Sequence, residues 1–214
     1  MSADDQERIL AAARRRQFRR GDVVFREGDT AEGMHLIESG VFAVEVSTAG
    51  GERAMLNVLA PGDFFGELAL VTSTNLSPRT ATILALAPGQ TLAITTSVFT
   101  ALRDTHPEVE RLLVSALAHR VDQLSGRLLE ALYTGVDRRV YRRLLDLAEI
   151  FDNHGSEIVI PVSQEDLATM AGAARPTVNQ VLQRLVARGV ITLGRRQIAI
   201  SDLKGLHTAA AEDT

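Results

Sequence analysis

The amino-acid sequence predicts an α+β protein with three parts: an N-terminal antiparallel β-sandwich or barrel, one long helix, and a small C-terminal domain of helices and a β-hairpin. Three observations predict this fold class. Short apolar runs alternate with glycine-containing turns through the first part of the chain. A helical spacing of apolar residues follows. Beyond it, two short amphipathic helices lie between a strand and a predicted hairpin.

The β region extends from Phe18 to about Ala93. Its short apolar runs, such as DVVF and MHLIESG, are separated by turns that contain glycine, and glycine recurs at positions 21, 28, 33, 40, 50, 51, 62, 66 and 89. Short strands at regular spacing with glycine turns are typical of an antiparallel sandwich or barrel.

The long helix is predicted from Pro107 to about Leu132. Pro107 suits the first helical turn because proline lacks a backbone N–H and the N–H groups of that turn need no partner within the helix. Six residues with alternating spacings of three and four form an a/d seam, namely Val114, Leu117, Val121, Leu124, Leu128 and Ala131. Such a seam favours a partner helix, and hence a two-fold dimer if the partner is a second copy. The alternative is a helix that packs on its own domain.

The C-terminal part begins at Asp137, which we expect to cap the helix RRVYRRLLDLAEIF. A short strand, EIVIPV, follows. Ser163 and Asp166 have the spacing of a capping box for the next helix, which we expect Gly172 to end. The sequence then predicts a second helix that stops at Gly189 and a tight hairpin around Gly194.

The second of these two helices, at about residues 175–188, has one apolar face formed by Val178, Val181, Leu182 and Leu185. A short helix, a glycine-containing turn and a helix with a polar outer face predict a helix-turn-helix, whose second helix enters the major groove by its N-terminal end. The predicted DNA contacts are Arg175, Pro176, Thr177, Asn179, Gln180, Gln183 and Arg184, with Arg195 and Arg196 of the hairpin near phosphates. The alternative is a small helical domain whose solvated face carries amides.

Composition narrows the function classes. The net charge is −4, yet residues 138–204 carry ten basic and seven acidic residues, which fits a phosphate-binding surface as well as an ordinary arginine-rich one. Cysteine is absent, which excludes disulfides and cysteine-ligated iron–sulfur or zinc sites. No apolar run approaches the ~20 residues of a membrane span. Because the N-terminal stretch is acidic and polar, we expect no secretory signal and a cytoplasmic protein.

Enzymatic activity is not expected. The sequence has no P-loop, no G-x-S-x-G and no HExxH motif. A metal-dependent barrel enzyme is the alternative, but it needs several ligands inside the barrel, and His35 is the single histidine of that region. We therefore predict no metal site and interpret His35 as structural.

Five stretches together resemble the cyclic-AMP receptor protein/FNR (Crp-Fnr) family of bacterial transcription regulators over nearly the whole chain. They are FRRGDVVFREGD (18–29), LIESGVF (36–42), PGDFFGELAL (61–70), PRTATILAL (78–86) and SQEDLATMAGAARPTVNQVL (163–182). The resemblance implies a cyclic-nucleotide-binding-like jelly-roll sensor domain at residues 1–105, a dimerisation helix at 106–135 and a winged helix-turn-helix DNA-binding domain at 136–214.

The resemblance also implies a ligand, a cyclic nucleotide such as cAMP, held by a phosphate-binding cassette. In this sequence the matching residues are Gly66, Glu67, Leu68, Ala69, Arg79 and Thr80, with Leu124 and Ser125 at the positions that meet the adenine. Arg79 would neutralise the phosphate, Glu67 would accept from the ribose 2′-hydroxyl, and Thr80 would add a hydroxyl contact. The alternative is a vestigial pocket in which Glu67 and Arg79 form an ion pair.

The sequence departs from the family pattern at the cassette and at the reading helix. The loop TSTNLSP between Glu67 and Arg79 is longer than usual, and Leu124 cannot hydrogen-bond an adenine amine. Of the family's arginine–glutamate–arginine reading residues, which fall on Arg175, Pro176 and Gln180, only the first is kept.

These matches imply four kinds of partner or ligand: duplex DNA, a second copy of the chain, RNA polymerase and the cyclic nucleotide, with no membrane. The DNA is expected to be a palindrome with half-sites about 34 Å apart. Two further readings remain open. One is a family member that has lost nucleotide binding. The other is a nucleotide-binding module whose tail binds protein.

Overall fold

The computed structural model describes residues 13–47, 50–51, 53–71, 78–152, 155 and 157–212. The chain divides into two compact units, and the division falls inside the long helix, between Leu124 and Ser125; Ala54–Leu56 group with the second unit. The first unit is rich in strands and the second in helices. The predicted α+β class is confirmed.

The first unit contains two four-stranded antiparallel sheets, in the strand orders β1-β8-β3-β6 and β2-β7-β4-β5. The strands are β1 (Arg14–Phe18), β2 (Val23–Phe25), β3 (Gly33–Ser39), β4 (Phe42–Ser47), β5 (Arg53–Leu59), β6 (Phe64–Phe65), β7 (Thr82–Ala85) and β8 (Gly89–Thr95). Non-consecutive strands neighbour one another in both sheets, as a jelly-roll requires. The predicted antiparallel β-domain is confirmed.

The core of this domain lies between the sheets. Strand register places one row of side chains on the same face of the first sheet: Arg14 lies opposite Ala93, which lies opposite His35, which lies opposite Phe65. The buried core residues are Ile37, Phe42, Val44, Leu59, Phe65, Ile83 and Ala85, with Phe18, Val24, Phe25 and Ala81 packed against them. Because side chains alternate along a strand, every second residue of β1 and β3 faces this interior.

In its described residues, the first unit contains all or part of three helices: α1 (Leu68–Val71), α2 (Thr96–Thr105) and α3 (Pro107–Tyr133). The hydroxyl of Thr95 caps α2 by accepting a hydrogen bond from the Val98 N–H at 3.3 Å. Near its start, α3 buries Val109 and packs Leu113 against a cluster with Phe99. The alternative reading, a helix packed on its own domain, therefore holds for the first turns of α3.

Farther along, α3 exposes large apolar side chains. Val121 is 63% exposed and Leu128 is 60% exposed, and Val114 and Leu124 are similar. Leu117 is half-buried and Ala131 is exposed. An exposed apolar row of this length on one helix marks an interaction surface.

The second unit contains α4 (Val136–Phe151), β9 (Ile158–Ile160), α5 (Gln164–Met170), α6 (Arg175–Ala187), β10 (Ile191–Gly194), β11 (Gln197–Ile200) and α7 (Leu203–Glu212). The prediction that Asp137 caps α4 is wrong, since Gly135 is the N-cap and Asp137 lies in the first turn. A carboxylate there still suits the helix dipole. It also forms an ion pair with Arg184.

The junction between α3 and α4 is held by ion pairs within this unit. The Glu130 carboxylate accepts hydrogen bonds from Arg142 and, at 2.9 Å, from Arg143. Arg143 also contacts Asp146 at 2.9 Å. Burial raises the pKa of Asp146, with Arg143 opposing that shift.

The predicted capping box at the start of α5 is confirmed. The Asp166 N–H donates to Ser163 Oγ at 3.1 Å, and the Ser163 N–H donates to Asp166 Oδ2 at 2.8 Å. Gly172 follows α5 with φ +59° and Gly189 follows α6 with φ +70°. Glycine tolerates this left-handed conformation at a helix C-terminus, so both predicted stops are confirmed.

The predicted tight hairpin around Gly194 is present. Gly194 is the last residue of β10 and pairs with Gln197, which leaves Arg195 and Arg196 as the two turn residues. Arg196 takes the left-handed conformation, with φ +55°. The wing therefore presents two arginines at its tip.

Candidate nucleotide and DNA sites

Six residues of the predicted cassette line one cavity of about 360 Å³ in the first unit. They are Gly66, Glu67, Leu68, Ala69, Arg79 and Thr80. The described part of the lining also includes Phe25, Ala31, Val44, Phe65, Pro78, Ala81, Ile83 and Arg120. The cavity thus has an apolar floor and a few polar groups, which is typical of a small-molecule site. Residues 72–77, the loop predicted to be long, lie outside the described residues.

Gly66 is required where it stands for two reasons. Its φ of +79° is left-handed, and a Cβ there would lie 2.5 Å from Arg79 Nη1 and 3.0 Å from the carbonyl oxygen of Gly33. A side chain would therefore occupy the space that the guanidinium fills. The absence of a side chain at Gly66 therefore lets the Arg79 guanidinium lie close to the Gly66 backbone.

Arg79 is only 8% exposed, which is unusual for an arginine. Its Nη1 donates to the carbonyl oxygens of Gly33 at 2.7 Å and Gly66 at 3.2 Å. Its guanidinium carbon lies 4.0 Å from the centre of the Phe25 ring. Its Nε has no hydrogen-bond partner among the described residues.

The charge of Arg79 is therefore held in a poorly hydrated place. Burial lowers the pKa of its guanidinium, against the opposing attraction of Glu32, Asp29 and Glu67. A buried cation with one unsatisfied N–H gains from an anion that displaces its weaker neutral partners.

Arg120 was missed by the sequence analysis. It lies on α3 and lines the same cavity as the cassette. It stands far along the chain from the cassette and has no motif around it. Leu124 and Ser125, which were predicted to meet the adenine, are exposed on α3 and are not among the described residues that line this cavity.

His35 lies inside the jelly-roll as expected for a structural residue. Its ring stacks on Phe65 with centroids 5.0 Å apart, and its Nδ1 lies 2.9 Å from the Thr91 hydroxyl. Burial lowers the pKa of His35 to about 4, with the charges of Arg79 and Arg16 adding to the effect. His35 is therefore neutral near pH 7.

In the second unit, α6 buries its apolar face and exposes its polar one. Val178, Val181, Leu182 and Leu185 are buried, as predicted. Of the nine predicted DNA contacts, all are exposed except Asn179, which is half-buried. These predicted contact residues belong to α6 and to the turn between β10 and β11.

Three of the arginines predicted to contact DNA have carboxylate partners. Arg175 lies 3.0 Å from Glu165, Arg184 contacts Asp137, and Arg196 lies 4.0 Å from Asp166. Glu165 and Arg175 are both exposed, so this pair is one that solvent and salt weaken. The sequence analysis did not identify these acidic partners.

Comparison with known proteins agrees with this geometry. A model of the cyclic nucleotide-binding domain matches residues 15–106, and a model of the Crp-like helix-turn-helix domain matches residues 138–209. The HTH-type transcriptional regulator Cmr of Mycobacterium tuberculosis is 31% identical over 207 residues, which cover 97% of this chain and 80% of that protein. This chain belongs to the Crp-Fnr family of transcription regulators.

Two more relatives extend the comparison. The CRP-like cAMP-activated global transcriptional regulator of M. tuberculosis is 29% identical and covers 88% of this chain and 84% of its own length. The solved structure of the c-di-GMP responsive regulator CLP of Xanthomonas campestris covers 93% of this chain and 99% of its own, with a TM-score of 0.75 and 24% identity. The latter likeness concerns the fold. As a Crp-Fnr family member, the chain is a DNA-binding transcription regulator.

No helix in the described part of the chain is long and apolar enough to cross a membrane. No group of three or more histidine, aspartate or glutamate side chains there is placed to hold a metal ion.

Proposed function

We propose that this regulator is a homodimer whose affinity for palindromic DNA is controlled by a cyclic nucleotide, such as cAMP, bound in the cassette cavity. The observation that carries the proposal is the convergence of Gly66, Glu67, Arg79 and Thr80 on one cavity. Relatives described as cAMP-activated support the choice of ligand. The proposed place of action is the cytoplasm, where the DNA and RNA polymerase are.

Each cassette residue has a specific role in this proposal. Arg79 exchanges its bonds to two carbonyl oxygens for charge-assisted bonds to the cyclic phosphate, which are stronger. Glu67 accepts a hydrogen bond from the ribose 2′-hydroxyl, and Thr80 donates to a phosphate oxygen. Arg120 brings a second cation to the cavity from α3. Leu124 and Ser125 are proposed to meet the base.

The dimer is proposed to form along α3. The side chains of Val121, Leu124 and Leu128 are each more than half exposed. Burying large apolar side chains of this kind stabilises a protein by roughly 1 kcal/mol or more for each side chain. A second copy of α3 offers a matching seam.

The DNA contacts are proposed to come from α6 and the wing. Arg175 is expected to pair with a guanine, Gln180 to favour an adenine, and Arg195 and Arg196 to contact phosphates. Ligand binding favours one arrangement of the two reading helices in the dimer, which is a shift between existing states.

A second candidate function is a regulator that binds DNA without a nucleotide. The observation in its favour is that Arg79 already has two carbonyl partners and an aromatic ring beside it. A cassette satisfied in this way needs no phosphate for stability.

Calorimetry distinguishes the two candidates. The purified protein is titrated with a panel of cyclic mononucleotides and cyclic dinucleotides, and its affinity for DNA selected from a random duplex pool is measured with and without each compound. The matched variants are Glu67→Gln, which removes the proposed ribose contact, and Glu110→Gln, an exposed position on α3 that does not line the cavity.

The proposal predicts that one cyclic nucleotide binds, that it raises or lowers DNA affinity at least tenfold, and that E67Q weakens its binding while E110Q does not. Equal DNA affinity with every compound, together with no heat of binding, would leave the nucleotide-independent regulator. If the salt concentration does not change the affinity for DNA, the second unit does not contact DNA phosphates.

A further inference from the structure

A cavity other than the predicted nucleotide site lies in the first unit. It has a volume of about 530 Å³ and opens between β1, β2 and the loop that precedes β3. Its described lining is Arg14, Arg16, Phe18, Val24, Phe25, Asp29, Thr30, Glu32, Gly33, Met34, His35, Arg79, Ala93, Ile94 and Thr95. None of the cassette residues except Arg79 lines it, so we call it the second cavity.

Two arginines of β1, Arg14 and Arg16, line the second cavity. Arg14 and Arg16 occupy alternate positions, so both project to the face of the sheet that carries His35. Arg15, between them on the other face, has its guanidinium 2.7 Å from the Glu38 carboxylate. In the described part of the chain, neither Arg14 nor Arg16 makes an ion pair or a side-chain hydrogen bond.

Arg79 adds a third cation to the wall between the two cavities. It is more than nine-tenths buried, and its Nε has no partner among the described residues. The acidic residues of the second cavity, Asp29 and Glu32, act on Arg79, whose pKa their charges raise against burial. The Asp29 carboxylate also accepts a hydrogen bond from the Arg26 N–H at 2.7 Å.

His35 lines the second cavity, and the nearby arginine charges affect its pKa. The pKa of His35 is lowered to about 4, chiefly by burial and in addition by the nearby charges of Arg79 and Arg16. Arg79 and Arg16 thus act on His35 as cations, and Asp29 and Glu32 are the acidic residues of the same lining. Cations at alternate strand positions lie about 7 Å apart, which suits an anion with two or more charged groups.

We propose that the second cavity binds a small multivalent anion, a polyphosphate or polycarboxylate, through Arg14 and Arg16, and that this anion shares Arg79 with the nucleotide site. Bidentate arginine contacts to phosphate or carboxylate oxygens provide the recognition. Because one guanidinium lies in the wall of both cavities, each anion weakens the binding of the other, and the coupling is reciprocal. Only this coupling rests on the proposed cyclic-nucleotide function.

The test titrates inorganic pyrophosphate into the full-length protein by calorimetry at low ionic strength. We expect one pyrophosphate per chain, with at least tenfold weaker binding in the double variant R14Q/R16Q. The matched control is R19Q/R20Q, which removes the same charge from the turn after β1, where neither side chain lines the cavity. That control should bind within about twofold of the wild type. Circular dichroism and the single variants R14Q and R16Q check that the fold is retained.

A second readout is the pKa of His35, followed by NMR. Bound pyrophosphate brings negative charge near the ring, so this pKa should rise in the wild type and stay unchanged on addition of pyrophosphate to R14Q/R16Q. Saturating cAMP should weaken pyrophosphate binding in the wild type. If no cyclic nucleotide of the panel binds, the nucleotide proposal fails, while the arginine variants and His35 still test the second cavity.

Two results would overturn the proposal. One is the absence of pyrophosphate binding to the wild type. The other is equal weakening in R14Q/R16Q and R19Q/R20Q without a change at His35, which would mean an adventitious ion only, attracted by surface charge.

Discussion

Replacing Gly66 by alanine tests the close approach that shapes the cassette. Alanine at a φ of +79° costs about 1–2 kcal/mol through its left-handed backbone. Its Cβ would also lie 2.5 Å from Arg79 Nη1, and the bond to the Gly33 carbonyl holds that guanidinium in place. Losing one hydrogen bond of a charged group costs about 1.5–3 kcal/mol more. We therefore expect G66A to destabilise the first unit by about 2.5–5 kcal/mol in total.

The chain offers a control that isolates the second contribution. Gly62 has φ +94°, but a Cβ there would meet nothing within 4 Å. G62A should therefore cost only the backbone contribution of about 1–2 kcal/mol. Urea denaturation of both variants, followed by far-UV circular dichroism, measures the difference. Equal destabilisation of G66A and G62A would refute the argument that Arg79 fills the space beside Gly66.

Three further predictions follow from the structure. L128E places a charge in the exposed apolar row of α3, and we expect sedimentation velocity to show a monomer where the wild type is a dimer; an unchanged dimer would contradict the seam. The pKa of His35 is about 4 in the folded state and about 6.5 when unfolded, so the unfolded chain binds the extra proton and stability falls by about 3 kcal/mol as the pH drops from 7 to 4. H35Q should flatten that dependence in pH-resolved denaturation. E165Q frees Arg175 from its carboxylate, so affinity for non-specific duplex at low salt should rise several-fold, with a salt slope steeper by about one. E149Q, an exposed acid on α4, is the control for charge alone, and an equal rise there would remove any special role for the Glu165 pair.

Local patterns predicted the helical unit well because the signals are local. The capping box of Ser163 and Asp166 and the stop at Gly172 depend on residues three or fewer positions apart or on one φ angle. The apolar face of α6 follows from a helical repeat that the core then buries. The wrong prediction for Asp137 shows the limit of such rules. Aspartate is a common N-cap residue, but Gly135 occupies the N-cap position of α4. Asp137 instead forms an ion pair with Arg184, which is distant in sequence.

The candidate sites were only partly predictable. The cassette residues were assigned from the family resemblance, and the structure places them together, but the inward turn of Arg79 onto two carbonyl oxygens depends on the Gly33 backbone, far away in sequence. Arg120 and the second cavity were not predicted because the residues that line each cavity are far apart in sequence. The second cavity is lined by residues of β1, β2, β3 and β8. The exposed acid Glu165 gave no signal because its partner, Arg175, is in a different helix.

The hydrogen bonds that Glu130 accepts from Arg142 and Arg143 restrict bending at the end of α3. Gly126, within α3, and Gly135, just before α4, are the two glycines between Pro107 and Phe151. Motion at Gly135 must first separate Glu130 from Arg142 and Arg143, whereas a Cβ at Gly126 would meet nothing within 4 Å. We therefore expect α3 to bend before Glu130, and we expect the last turn of α3 to move together with α4.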